Sequence, residues 1–96
     1  MQVFTRDGRF LRTIGSEGTG DGQLRSPRGV LVNGDELLVA DCGNHRISVF
    51  ERATGRWLRH LTGLPADVIP NSLALNAATA TLFVSDVNNH CVHVLH

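Results

Sequence analysis

The chain repeats itself, and an internal repeat constrains architecture more than any local pattern does. Displaced by 45 residues, Leu37, Val39, Asp41, Asn44, His45 and Val49 fall on Leu82, Val84, Asp86, Asn89, His90 and Val94. The positions between them are mostly alike in kind: Leu38 with Phe83, Ala40 with Ser85, Ile47 with Val92, Phe50 with Leu95. Upstream, Pro27, Val30 and Asn33 match Pro70, Leu73 and Asn76 at an offset of 43, with the difference absorbed around Ala77–Thr81. A partial third copy opens the chain, where Val3-Phe4 match Val49-Phe50 and Gly8–Ile14 match Gly55–Leu61. Changes of length fall between apolar runs, as they do when the runs are secondary structure and the gaps are loops.

Those runs are four to seven residues long, rich in Val, Leu, Ile and Phe, and bounded by Gly, Pro, Asn or Asp. They are strand signals, too short for helices. The pattern predicts strands near Gln2–Phe4, Arg9–Ile14, Gly29–Asn33, Glu36–Ala40, Arg46–Phe50, Arg56–Leu61, Ser72–Asn76, Thr81–Ser85 and Cys91–Leu95. Asn33-Gly34 predicts a tight hairpin. Gly43 and Asn88 share one slot of the repeat, and both tolerate positive φ, which predicts a left-handed residue at each. Four strands recurring at about 45 residues is the arithmetic of a β-propeller blade.

The run Pro27-Arg28-Gly29-Val30-Leu31-Val32, followed by Leu37-Leu38-Val39-Ala40-Asp41-Cys42-Gly43-Asn44-His45-Arg46-Ile47-Ser48-Val49-Phe50, resembles an NHL repeat. Gly8–Gly15 and Gly20–Pro27 resemble that family's outer strand and inter-blade loop. The second copy departs from the pattern: Asn88 stands for Gly43, Cys91 stands for Arg46, and the glycine-rich loop is missing. The resemblance implies an all-β chain, a partial β-propeller of NHL-type four-stranded antiparallel blades. On that plan residues 1–15 supply the outer strands of a first blade, 27–61 a complete blade and 70–96 the inner three strands of a third. The resemblance also implies a non-catalytic scaffold that binds protein partners through its loop faces. Two other readings are a single-stranded RNA-binding propeller and a metal-dependent lyase or hydrolase whose site needs further blades.

An arc of two blades and a fraction leaves strand edges and blade faces uncovered. It needs either the remainder of a longer propeller or self-association. Three copies approximate a six-bladed ring if Arg9–Ile14 of one completes the blade begun at Ser72 of another, although Gln2–Phe4 and His93–Leu95 then claim one place. With 96 residues there is one small domain, which buries only roughly 60–70% of its unfolded surface alone. No apolar run approaches the ~18 residues of a membrane helix, and the first residues lack the core of a signal peptide. Two cysteines without a signal peptide lean towards an intracellular setting.

Nine arginines balance nine acids, which argues against nucleic-acid binding through bulk charge. All the arginines lie at or before Arg59, and only Asp67 and Asp86 carry charge beyond it. Arg25, Arg28 and Arg46 belong to the loop end that gathers the repeated turns, and they are the candidate binding residues. Arg6, Arg9, Arg52 and Arg56 fall at the other end.

No catalytic, cofactor or metal residue is assigned. Gly15–Gly22 lacks lysine and both glycine-rich phosphate motifs, so it reads as a flexible crossing between blades. Asp41 with His45, and Asp86 with His90, resemble carboxylate–imidazole pairs, but their recurrence in each copy points to a structural clasp. Among His90, Cys91, His93 and His96, only Cys91 and His93 share a strand face at close range, two ligands where structural zinc takes four. Phe4, Phe10, Phe50, Trp57 and Phe83 sit in strand patterns and read as core.

Overall fold

The computed structural model describes residues 1–96. Every apolar run forms a strand. A hairpin of β1 (Gln2–Phe4) and β2 (Phe10–Thr13) comes first, then a short parallel pair, β3 (Ser16–Glu17) and β4 (Gln23–Leu24). An antiparallel meander of β5 (Pro27–Asn33), β6 (Glu36–Asp41), β7 (Arg46–Glu51) and β8 (Trp57–His60) follows. A three-stranded sheet closes the chain, with β9 (Pro70–Asn76) and β11 (Cys91–Leu95) flanking β10 (Thr81–Asp86). One 3₁₀ turn, Cys42–Asn44, is the sole helical segment. The chain is an open arc of a β-propeller.

Strands β5 and β9 begin two residues earlier than the apolar pattern predicts, at Pro27 and Pro70. A proline tolerates that position because the first residue of a strand can do without its donor. Each strand also carries a bulge there. Pro27 pairs with Asp41 and Gly29 with Ala40, which leaves Arg28 as the extra residue, and the register slips equally between Pro70–Asp86 and Leu73–Val84.

The middle strands β6 and β7 of the four-stranded blade are buried on both faces, as Glu36–Asp41 shows with five consecutive buried residues. Leu38, Ala40, Ile47 and Val49 pack against Leu82 and Val84 of the last sheet. Leu37, Val39 and Phe50 pack the other way, against Ile14 and Leu24, with Met1, Val3 and Trp57 at the margin. The period-2 alternation of a strand thus serves two interfaces at once. The inner strands β5 and β9 meet closely: a Cβ on Gly29 would lie 2.6 Å from the Asn71 carbonyl oxygen.

Only part of the aromatic set enters these cores. Phe50 is fully buried and Trp57 half-buried, whereas Phe4, Phe10 and Phe83 are exposed, contrary to the expectation that all five are core. Phe83 is exposed because no sheet covers the outer face of β10 and β11. Phe4 and Phe10 stack edge-on to each other, 5.7 Å between ring centres, on the first hairpin.

Candidate functional site

The two repeated turns, 41–46 and 86–91, are built alike around a buried aspartate. Asp41 ends β6, and its Oδ1 accepts the Arg25 backbone N–H at 2.7 Å. Its Oδ2 accepts Asn44 Nδ2 at 2.9 Å and Arg46 Nε at 3.1 Å. Asp86 ends β10, and its Oδ1 accepts the backbone N–H groups of Ile69, Asn88 and Asn89. Its Oδ2 accepts Asn89 Nδ2 at 2.7 Å and His93 Nε2 at 2.8 Å. Burial pushes the Asp86 carboxyl up, but the bonds from His93, Asn89 and Ile69 outweigh it and hold the group well below the usual carboxylate range.

The left-handed residue of each turn is the histidine: His45 has φ 56° and His90 φ 52°. The expectation that Gly43 and Asn88 take that conformation is therefore corrected. Gly43 is small for another reason. Its N–H donates to the Arg25 carbonyl at 2.8 Å, and a Cβ there would stand 2.6 Å from that same oxygen. Neither expected Asp–His pair forms either. His45 Nδ1 donates to the Val68 carbonyl at 2.9 Å and so fastens the first turn to the crossing into the next blade. The imidazole on Asp86 belongs to His93, which the extended register of β11 places opposite Val84.

Arg46 organises the glycine-rich loop. Its guanidinium donates to the carbonyls of Thr19, Gly20 and Gln23 at 2.7–3.1 Å, while Asn44 Nδ2 donates to Gly18. Expected as a flexible crossing, Gly15–Gly22 is instead wrapped round one charged side chain. Backbone carbonyls of a turn-rich loop cannot satisfy one another, and a planar five-donor fork fits them well.

The three candidate arginines consequently occupy different situations. The donors of Arg46 point inward. Arg25 and Arg28 are exposed, and neither is within ion-pair distance of a carboxylate. Arg25 follows β4 directly and its backbone is pinned to Asp41, while Arg28 is the bulge residue of β5. A bulge turns a side chain out of the alternation of its strand. Beside them lies a concavity of about 340 Å³ bordered by Thr13, Glu17, Leu24 and Pro27. The opposite end of the blade carries paired charges, with Arg59 bidentate on Glu36 at 2.7 and 3.0 Å.

On the blade face towards β3 and β4, Ser48 Oγ, Trp57 Nε1 and His60 Nε2 are buried without hydrogen-bond partners. Burial pushes the His60 imidazole down, and the charge of Arg46 adds to this against the pull of Asp21 and Asp41. Asp86, Cys91 and His93 place one oxygen, one sulfur and one nitrogen within 4.8 Å of one another. Sequence spacing brings Cys91 and His93 together but misses Asp86. The signal for it is the hairpin register, which sets Asp86 opposite Cys91 just as it sets Asp41 opposite Arg46.

A family model described as "NHL repeat" matches residues 24–50, from β4 through the first turn to β7. NHL repeat-containing protein 3 from Homo sapiens is 32% identical over 85 residues, 88% of this chain and 24% of that protein. RING finger protein nhl-1 from Caenorhabditis elegans is 48% identical over 82 residues, 82% of this chain and 8% of that protein. The chain therefore spans a quarter or less of these relatives. No helix is long and apolar enough to cross a membrane.

Proposed function

The chain carries an NHL repeat and belongs to the NHL-repeat family, and we propose that it is a non-catalytic interaction module whose loop rim binds a protein partner. One observation carries this reading: Arg25 and Arg28 stand exposed and unpaired on a rim fixed by Asp41 and Arg46. Such a rim presents positive charge without first having to order itself, which lowers the cost of binding. Arg46 contributes by holding the loop. The partner surface that fits is acidic. In blade terms, residues 27–61 are the complete blade, with 1–15 and 70–96 its incomplete neighbours.

The faces that remain open support a larger ring. Phe83, Val92 and Val94 repeat the positions of Leu38, Ile47 and Val49, which are buried against the following sheet. The same pattern in the last sheet calls for the same cover, either another blade of a longer chain or a second copy. Light scattering tests the second-copy form. A folded monomer at micromolar concentration rules it out and leaves the longer chain.

Acidic peptides and single-stranded RNA, titrated by fluorescence anisotropy at two salt concentrations, test the rim. The expected result is peptide binding that Arg25→Ala with Arg28→Ala weakens about tenfold, or ~1.4 kcal/mol, with Arg6→Ala and Arg9→Ala without effect. Binding indifferent to the first pair, or RNA bound more tightly than peptide with a steep salt slope, overturns the reading.

A further inference from the structure

The two buried aspartates differ in how their charge is met. Asp41 has a permanent cation, Arg46, at Oδ2. Asp86 is equally buried, but residues 60–96 contain no Lys or Arg, and its ion-pair contact is the side chain of His93. In place of the arginine stand a thiol and an imidazole, both good ligands for d-block metals. His93 Nε2 lies 2.8 Å from Asp86 Oδ2 and 3.7 Å from Cys91 Sγ. Tetrahedral Zn²⁺ separates such ligand atoms by about 3.4–3.6 Å, given its bond lengths. Small side-chain shifts therefore suffice.

The cluster also has an approach. Asp86 pairs with Cys91 and Val84 with His93 across β10 and β11, so all three side chains share the sheet face on which Leu82 and Val84 meet the neighbouring blade. Cys91 is exposed and His93 half-buried at the end of that seam. Three protein ligands with a fourth position open to water is a recurrent zinc arrangement.

We propose that Asp86, Cys91 and His93 form a binding site for a divalent cation of the Zn²⁺ type, which supplies the positive charge that Arg46 supplies in the preceding turn. On binding, Cys91 releases its thiol proton to solvent, the hydrogen on His93 Nε2 moves to Nδ1, and metal-bound waters leave as the three bonds form. Asn89 and the Ile69 N–H keep their bonds to the carboxylate and orient it, the outer-shell role that such donors play. The site is independent of the binding rim: its failure leaves the arginine reading untouched.

Cobalt(II) is the probe, added to the reduced full chain. The expected result is one equivalent bound, a thiolate-to-cobalt charge-transfer absorption, and displacement by Zn²⁺. Cys91→Ser should abolish the absorption and weaken binding beyond the roughly 10–100-fold that loss of an outer-shell partner costs, while Cys42→Ser changes nothing. A second measurement needs no variant: Zn²⁺ should protect Cys91, but not Cys42, from alkylation. Absence of the charge-transfer band, Cys91→Ser binding as tightly as the native chain, or alkylation of Cys91 unaffected by Zn²⁺ overturns the proposal.

Discussion

Two copies of one turn, folded alike, solve the same electrostatic problem differently. At 41–46 a buried carboxylate faces a guanidinium that also gathers a loop of carbonyls. At 86–91 the carboxylate faces an imidazole and a thiol, and the segment before it lacks the glycine-rich loop. The backbone of the turn survives the exchange because its frame is the aspartate accepting backbone N–H bonds from the crossing segment, Arg25 in one copy and Ile69 in the other. The second partner is free to vary, and that freedom lets one copy hold a loop and the other hold ligand atoms.

The largest expected effect comes from removing the guanidinium. Arg46→Ala strands Asp41 and leaves three loop carbonyls without their donor, a loss of about 4 kcal/mol in a urea unfolding curve. Arg46→Lys should recover only part of it, since a point charge cannot bond three divergent carbonyls. A variant as stable as the native chain would mean that the loop holds itself. Next come the blade faces. Ile47→Ala should cost about 3 kcal/mol, whereas Val92→Ala, at the equivalent position but 58% exposed, should stay within about 0.5 kcal/mol. A large effect at Val92 would show that its face is covered in solution.

Acid should weaken the second turn. The Asp86 carboxyl is held below its unfolded value of 3.8, so its contribution is complete above that pH and drains away as pH falls through the folded value. Asp86→Asn should flatten the acid limb of stability against pH. His60 acts at higher pH. Its folded value lies below 6.5, so the unfolded chain takes up the proton first, and stability declines as pH falls through 6.5 and levels off below the folded value. His60→Gln should remove that step. The effect is also small at the exposed end, where Arg59→Ala should cost under about 1 kcal/mol despite its bidentate geometry.

Strands were legible in the sequence because period-2 alternation and turn residues are local properties, and repetition gave each segment a second reading. The turns were legible only in outline. Gly43 announces a special backbone position, but whether the demand is for positive φ or for space depends on the Arg25 carbonyl, eighteen residues away in the chain. The hold of Arg46 on the loop is not legible in the sequence, because its acceptors are backbone carbonyls, which leave no mark there. His93 and Asp86 are joined by the register of β10 on β11, which spacing along one strand does not contain. The exposed phenylalanines have the same cause: alternation tells which face a residue takes, never whether a neighbour stands there.

The bond from His45 to the Val68 carbonyl crosses from one repeat to the connection that leads into the next. A unit defined by sequence is thereby not the unit that melts. Opening the first turn frees the crossing that positions Ile69 beneath Asp86, and amide hydrogens on both sides of the joint should exchange together, as links of a chain slacken in pairs when one pin is drawn.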